Sequence, residues 1–104
     1  MGCLCGHSDL LVFSRSKALA NASLIDANFS NSQLQITNFT NANLTNANFT
    51  NAHIAHSVFF NANCTDANLC VKRIGNVDFQ QVNLKDTKLS KEFNEPEKYL
   101  IELK

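Results

Sequence analysis

The chain has 104 residues, the length of a single domain, and its nine Lys+Arg balance nine Asp+Glu to leave no formal charge at pH 7. No global field therefore draws it toward nucleic acid or an anionic membrane. With three glycines, one proline (Pro96) and no Trp, ordinary turns and helix stops are nearly missing, so another device must organise a sequence this rich in Asn.

Residues 1–16 read as an N-terminal capping segment, in which Leu10, Leu11, Val12 and Phe13 form an apolar run able to cover the first turn of a stacked structure. Cys3, Cys5 and His7 are three potential zinc ligands, but a fourth and the paired C-x2-C spacing are missing, so no metal is expected. Met1-Gly2-Cys3 is similar to a myristoylation signal with an adjacent palmitoylation cysteine, although Gly6 stands where that motif has Ser or Thr. The four cysteines (Cys3, Cys5, Cys64, Cys70) do not form a dense disulfide framework, and no Arg/Lys-led apolar signal segment or long apolar run is present. A cytoplasmic setting is expected, with tethering to a membrane through an acylated N-terminus as the weaker alternative.

From residue 17 to residue 91 an apolar side chain recurs at every fifth position, through Leu19, Leu24, Phe29, Leu34, Phe39, Leu44, Phe49, Ile54 and Phe59, then Cys64, to Leu89. Two residues before these centres the chain carries only small residues over a long stretch, from Ala22 and Ala27 through Ser32 and Thr37 to Ala67. A period of five fits neither a helix near 3.6 nor a strand of 2, since the stripe would wander around either element. A chain that turns a corner every five residues can instead point each centre and each small residue inward. Segments such as Ala42-Asn43-Leu44-Thr45-Asn46 and Ala47-Asn48-Phe49-Thr50-Asn51 resemble the A-(D/N)-(L/F)-x-x unit of the pentapeptide-repeat family.

That resemblance implies an all-β fold, a right-handed quadrilateral β-helix with four repeats per coil and about four coils, so that residues twenty apart stack. The centres then sort into columns: Leu19, Phe39, Phe59 and Phe79; Phe29, Phe49, Leu69 and Leu89; Leu24, Leu44, Cys64 and Leu84; Leu34, Ile54 and Ile74. Narrow walls explain the small residues, because a larger side chain there overpacks at about 1 to 3 kcal/mol. Asn at the corners, such as Asn21, Asn41 and Asn61, can form amide ladders between coils and tolerates unusual backbone angles.

The frame breaks at Lys72, which occupies an inward position where an unpaired ammonium is too costly to desolvate. A local bulge over residues 72–75 is expected, carrying Lys72 and Arg73 to water with Gly75 supplying backbone freedom. Val58 and Phe60 flank the centre Phe59 and should face outward with Ile36 near them one coil away, a small candidate interaction patch. His53 and His56 read as surface residues, Cys64 as a buried apolar side chain, and Cys70 as at most an accessible thiol. Beyond the repeats, residues 92–104 read as a C-terminal capping helix, with Asn94 three before Glu97 as its start and Tyr99, Leu100 and Leu103 on one face.

No nucleophile with a positioned base, paired interior carboxylate or Gly-rich phosphate loop stands in the sequence, so neither catalysis nor a cofactor is expected. The family resemblance also implies a sharper possibility, an inhibitor of DNA gyrase that imitates a duplex. A duplex carries one negative charge per ~1.7 Å, so a stack about 18 Å tall would need on the order of ten excess acids. From residue 17 to 91 the acids are Asp26, Asp66, Asp78 and Asp86 against Lys17, Lys72, Arg73, Lys85, Lys88 and Lys91, an excess of two positive charges. The expectation is a non-catalytic structural or protein-interaction module with an unidentified protein partner and no nucleic acid, the alternatives being a DNA-mimicking gyrase inhibitor, which the charge disfavours, and an N-terminally lipidated membrane adaptor.

Overall fold

Why the chain coils follows from its backbone angles. The computed structural model describes residues 17–94 and 99–101, and in it every fifth residue from Asn21 to Asp86 has a positive φ of 52 to 65°, Val71 excepted. Such left-handed residues redirect an extended chain within one step, and Asn and Asp adopt them more readily than other side-chain-bearing residues. Asn or Asp fills ten of these corners, whereas Ile36, His56 and Gln81 hold the same conformation.

Between corners only two or three residues remain extended. The strands are correspondingly short: β1 (Lys17–Ala18), β2 (Gln33–Gln35), β3 (Thr37–Asn38), β4 (His53–Ala55), β5 (Asn68–Leu69), β6 (Arg73–Gly75), β7 (Val77–Phe79), β8 (Lys88–Leu89) and β9 (Tyr99–Ile101). All pairing is parallel, in the orders β1-β3, β2-β4-β6, β5-β8 and β7-β9. Up to residue 89 the offset is twenty residues, as in Gln33↔His53↔Arg73 and Asn68↔Lys88, and isolated bridges such as Asn43↔Asn63↔Asn83 continue it between the strands. Four five-residue units thus make one turn of a β-helix-type fold. Coil-to-coil bonds such as Phe39 N–H to Val58 O (2.7 Å) alternate with corner bonds such as Ala42 N–H to Phe39 O (2.9 Å).

The core is the set of fifth residues. Phe29, Phe39, Phe49, Phe59, Phe79, Leu24, Leu34, Leu44 and Ile54 are fully buried, with Ala27, Ala42, Ala47, Ala52, Ala62 and Ala67 between them. Phe39, Phe59 and Phe79 stack at centroid distances of 4.6 and 4.8 Å, and Phe29 stacks on Phe49 at 4.7 Å. The two columns meet edge to face, Phe29 with Phe39 at 5.5 Å and Phe49 with Phe59 at 5.9 Å. Each such pair adds about 0.5 to 1.5 kcal/mol beyond the area it buries. Towards the C-terminal end the packing thins, leaving Leu84 half-buried and Leu89 exposed.

One wall is built differently. Along β2, β4 and β6 the chain stays extended for three residues, and at the next corner the Thr37 N–H is donated to Ser57 Oγ (3.1 Å), whose hydroxyl donates in turn to Ala55 O (2.9 Å). Thr37 and Ser57 stand where other units have Ala, and the Ser57 hydroxyl takes over the corner bond of the Thr37 N–H.

The bulge forms without the expected help from glycine. Val71 is buried in place of Lys72, which is exposed together with Arg73, and the N–H groups of both basic residues converge on Ala52 O at 2.8 and 3.4 Å. Gly75 lies in β6 with an ordinary φ, and a Cβ on it would meet nothing within 4 Å, so its backbone freedom is not used.

The helix expected over residues 92–104 is corrected. Lys91–Asn94 forms a single 3-10 helix, and Tyr99–Ile101 is a strand paired with β7 through Val77↔Tyr99 and Phe79↔Ile101. The offset there is twenty-two residues, the 3-10 helix lying within the longer path. An open strand edge offers a row of N–H and C=O groups, and a segment with β-prone Tyr, Leu and Ile satisfies them better by pairing than by turning its bonds inward as a helix. The apolar run and the Cys3, Cys5, His7 cluster lie outside the described residues, as do Glu97 and Leu103.

Two stability changes follow. Phe59→Ala, which empties the centre of the ring stack, is expected to cost about 3 to 5 kcal/mol in chemical unfolding. Ile36→Asn relieves a β-branched residue held at φ 54° and is expected to raise stability by about 1 kcal/mol.

Candidate functional site

The outer walls are set by a hydrogen-bond device that works wherever Asn or Asp stands one residue before a centre. Asn28 Oδ1 accepts from the Ser30 N–H (2.9 Å) and hydroxyl (2.6 Å), and Asn43 and Asn63 do the same for Thr45 and Thr65. Asp78 and Asn83 accept from the N–H groups of Gln80 and Lys85 at 2.9 and 3.0 Å. These are Asx-type turns, and they occupy side chains that would otherwise look free for chemistry. At the corners, Asn61 Nδ2 donates to Asn41 Oδ1 (2.7 Å) and Asn46 Nδ2 to Asp26 Oδ1 (2.6 Å), each one coil apart. The corner ladders are visible in the twenty-residue spacing of Asn; the Asx turns, though equally regular, were missed because the repeat frame alone gives no hydrogen-bond direction.

The three residues of the candidate patch fall across one wall. Ile36 is 56 % exposed at a corner and Phe60 39 % exposed beside another, while half-buried Val58 lies on the wall between, bridged to Asn38 and Asp78. Their numbering places Ile36 and Phe60 at opposite margins of one wall in successive coils. His56 also occupies a corner, its Nδ1 3.4 Å from Asn76 Nδ2, and His53 stands between Gln33 and Arg73 in the β2-β4-β6 ladder.

A surface cavity of about 430 Å³ opens at that ladder, lined by Asn31, Ser32, Gln33, Asn51, His53, Lys72 and Arg73. Favouring a break in the frame over a basic site at Lys72 and Arg73 hid it; the signal was their position twenty residues after Ala52 and His53. Ser32 is 1 % exposed, and its hydroxyl has no hydrogen-bond partner. Among the described residues the carboxylates stand elsewhere, with Asp26, Asp66 and Asp86 sharing a corner column. Among the described residues no group of three His, Cys, Asp or Glu could hold a metal ion, and no helix is long and apolar enough to cross a membrane.

Cys64 lies in the column of Leu24 and Leu44, and burial pushes its thiol from 9.0 up to about 12. A thiol so held is inert at neutral pH. Cys70 is half-buried, and the two are unpaired.

Comparison with known proteins adds three findings. The family model described as pentapeptide repeats matches residues 37–70 in eight copies. Among solved structures, a pentapeptide repeat protein from the thylakoid lumen of Arabidopsis thaliana is similar over 72 % of this chain and 48 % of its own, at 26 % identity and a TM-score of 0.57. Another, from the cyanobacterium Cyanothece 51142, is similar over 70 % of this chain and 46 % of its own, at 29 % identity and a TM-score of 0.49. The chain spans about half the length of these two proteins. No curated protein sequence matches it.

The buried thiol fixes an alkaline limit. Because the folded state holds Cys64 protonated to about 12 while the unfolded thiol ionises near 9.0, its contribution is complete below pH 9 and is lost as pH rises toward 12. Unfolding followed across that range should show a loss on the order of 4 kcal/mol, which Cys64→Val should abolish.

Proposed function

Because the chain is a pentapeptide-repeat protein, we propose that it acts as a non-catalytic scaffold whose walls dock a protein partner, wound as a right-handed quadrilateral β-helix of about four coils. The twenty-residue register with a corner at every fifth residue supports the four-sided form. The observation that carries the functional reading is the commitment of many wall side chains to structure: Asn and Asp residues before the centres close Asx turns, and the corner pairs Asn41 with Asn61 and Asp26 with Asn46 bond between coils. What such walls offer is a fixed, repetitive surface with apolar side chains at chosen points.

The wall of Asn38, Val58 and Asp78, with Ile36 and Phe60 at its margins, is the docking face in this reading. Aromatic side chains anchor interfaces more than their number suggests. Imitation of duplex DNA is disfavoured by the excess of two positive charges between residues 17 and 91. A reducing, cytoplasmic setting suits the unpaired Cys64 and Cys70.

A photo-crosslinking residue in place of Phe60 tests this in the native cell. One partner polypeptide should be captured, and Val58→Asp should weaken its binding roughly tenfold or more while the thermal midpoint holds. Equal capture from a crosslinker at Asn31, two corners away around the coil, would remove the assigned face; inhibition of gyrase supercoiling at low protein concentration would remove the scaffold reading in favour of duplex imitation.

A further inference from the structure

The break in the repeat at Lys72 creates the most distinctive chemistry on the surface. In a regular unit that position points inward, yet here Val71 fills the core and Lys72 is turned out beside Arg73. Both side chains are exposed and both line the cavity of about 430 Å³. We propose that this cavity binds an oxyanion, the phosphate or carboxylate group of a small ligand.

Three observations carry the assignment. The first is donor geometry. Gln33, His53 and Arg73 are register partners on β2, β4 and β6, so their side chains rise up one flank at about 4.8 Å per coil, and Lys72 adjoins the upper end. An amide, an imidazole, an ammonium and a guanidinium fork thereby face one volume, and the fork matches the paired oxygens of carboxylate or phosphate. The second is charge. Among the described residues no carboxylate lines the cavity, and Glu92, the acid on the 3-10 helix packed against β6, is not part of it either. The third is size, since the volume falls within the range of about 300 to 1,000 Å³ usual for small-ligand sites. The neighbouring corner column supplies neutral amides from Asn31 and Asn51. The inference goes beyond the scaffold reading and does not depend on it.

Amide-resolved NMR titration of the full chain with inorganic phosphate and, separately, with citrate tests the proposal, using chloride at matched ionic strength as the reference. Saturable shifts confined to the segments 31–33, 51–53 and 72–73 are expected. Saturation at lower phosphate than citrate assigns a phosphate-bearing ligand, and the reverse order a carboxylate-bearing one. Combining Lys72→Gln with Arg73→Gln should weaken the tighter anion at least about tenfold with the thermal midpoint unchanged, because both side chains are exposed. Lys85→Gln with Lys88→Gln removes the same charge from elsewhere and should leave affinity intact. Absence of saturation with either anion, or an equal loss in the second pair, overturns the proposal.

Discussion

A left-handed residue at every fifth position is the constraint on which the molecule depends. It turns the extended backbone often enough that one large and one small side chain from each unit face the axis, and it leaves too few residues for a long strand or any α-helical turn. Left-handed geometry costs an ordinary L-residue roughly 1 to 2 kcal/mol, so the Asn and Asp at most corners keep a periodic strain from accumulating. Asn abundance, which in a sequence without this period would suggest a disordered segment, is a condition of folding here.

Core and wall then divide the work by position within the unit. The centre supplies hydrophobic burial, and the Phe columns add ring contacts along and across the stack. Where Asn or Asp precedes the centre, its side chain accepts the N–H two positions on, and in the pairs Asn41 with Asn61 and Asp26 with Asn46 the corner residue bonds to its equivalent one coil away. Ser32 departs from this economy, since its hydroxyl is buried without a partner at a position where Ala27 and Ala52 bring no polar atom.

The five-residue frame and the twenty-residue stacking of Phe39, Phe59 and Phe79 were readable in the sequence because a non-helical, non-strand period leaves few ways to bury its apolar residues. Residues 99–101 were misread for a physical reason. Asn94 and Glu97 match a helix start and Tyr99, Leu100 and Leu103 share a helical face, but local pattern carries no knowledge of an unpaired strand edge waiting at Val77–Phe79. The same limit applies to the surface. Lys72 was recognisable as unable to stay inside, whereas the cavity it forms with Gln33 and His53 depends on residues from three coils and on a core substitution by Val71.

That substitution also shows how the architecture handles error. Around Val71 the left-handed corner is missing and two N–H groups crowd one carbonyl, yet by Ile74 the centre is buried again and Asn76 restores the corner. The number of residues per coil is unchanged across the defect, as His53↔Arg73 shows. In a globule with one interlocked interior, a misplaced cation propagates its strain to many neighbours; in a stack where each layer touches only those above and below, the disturbance is quarantined within a single layer. Novel surface chemistry can therefore arise one storey at a time, without redesign of the tower.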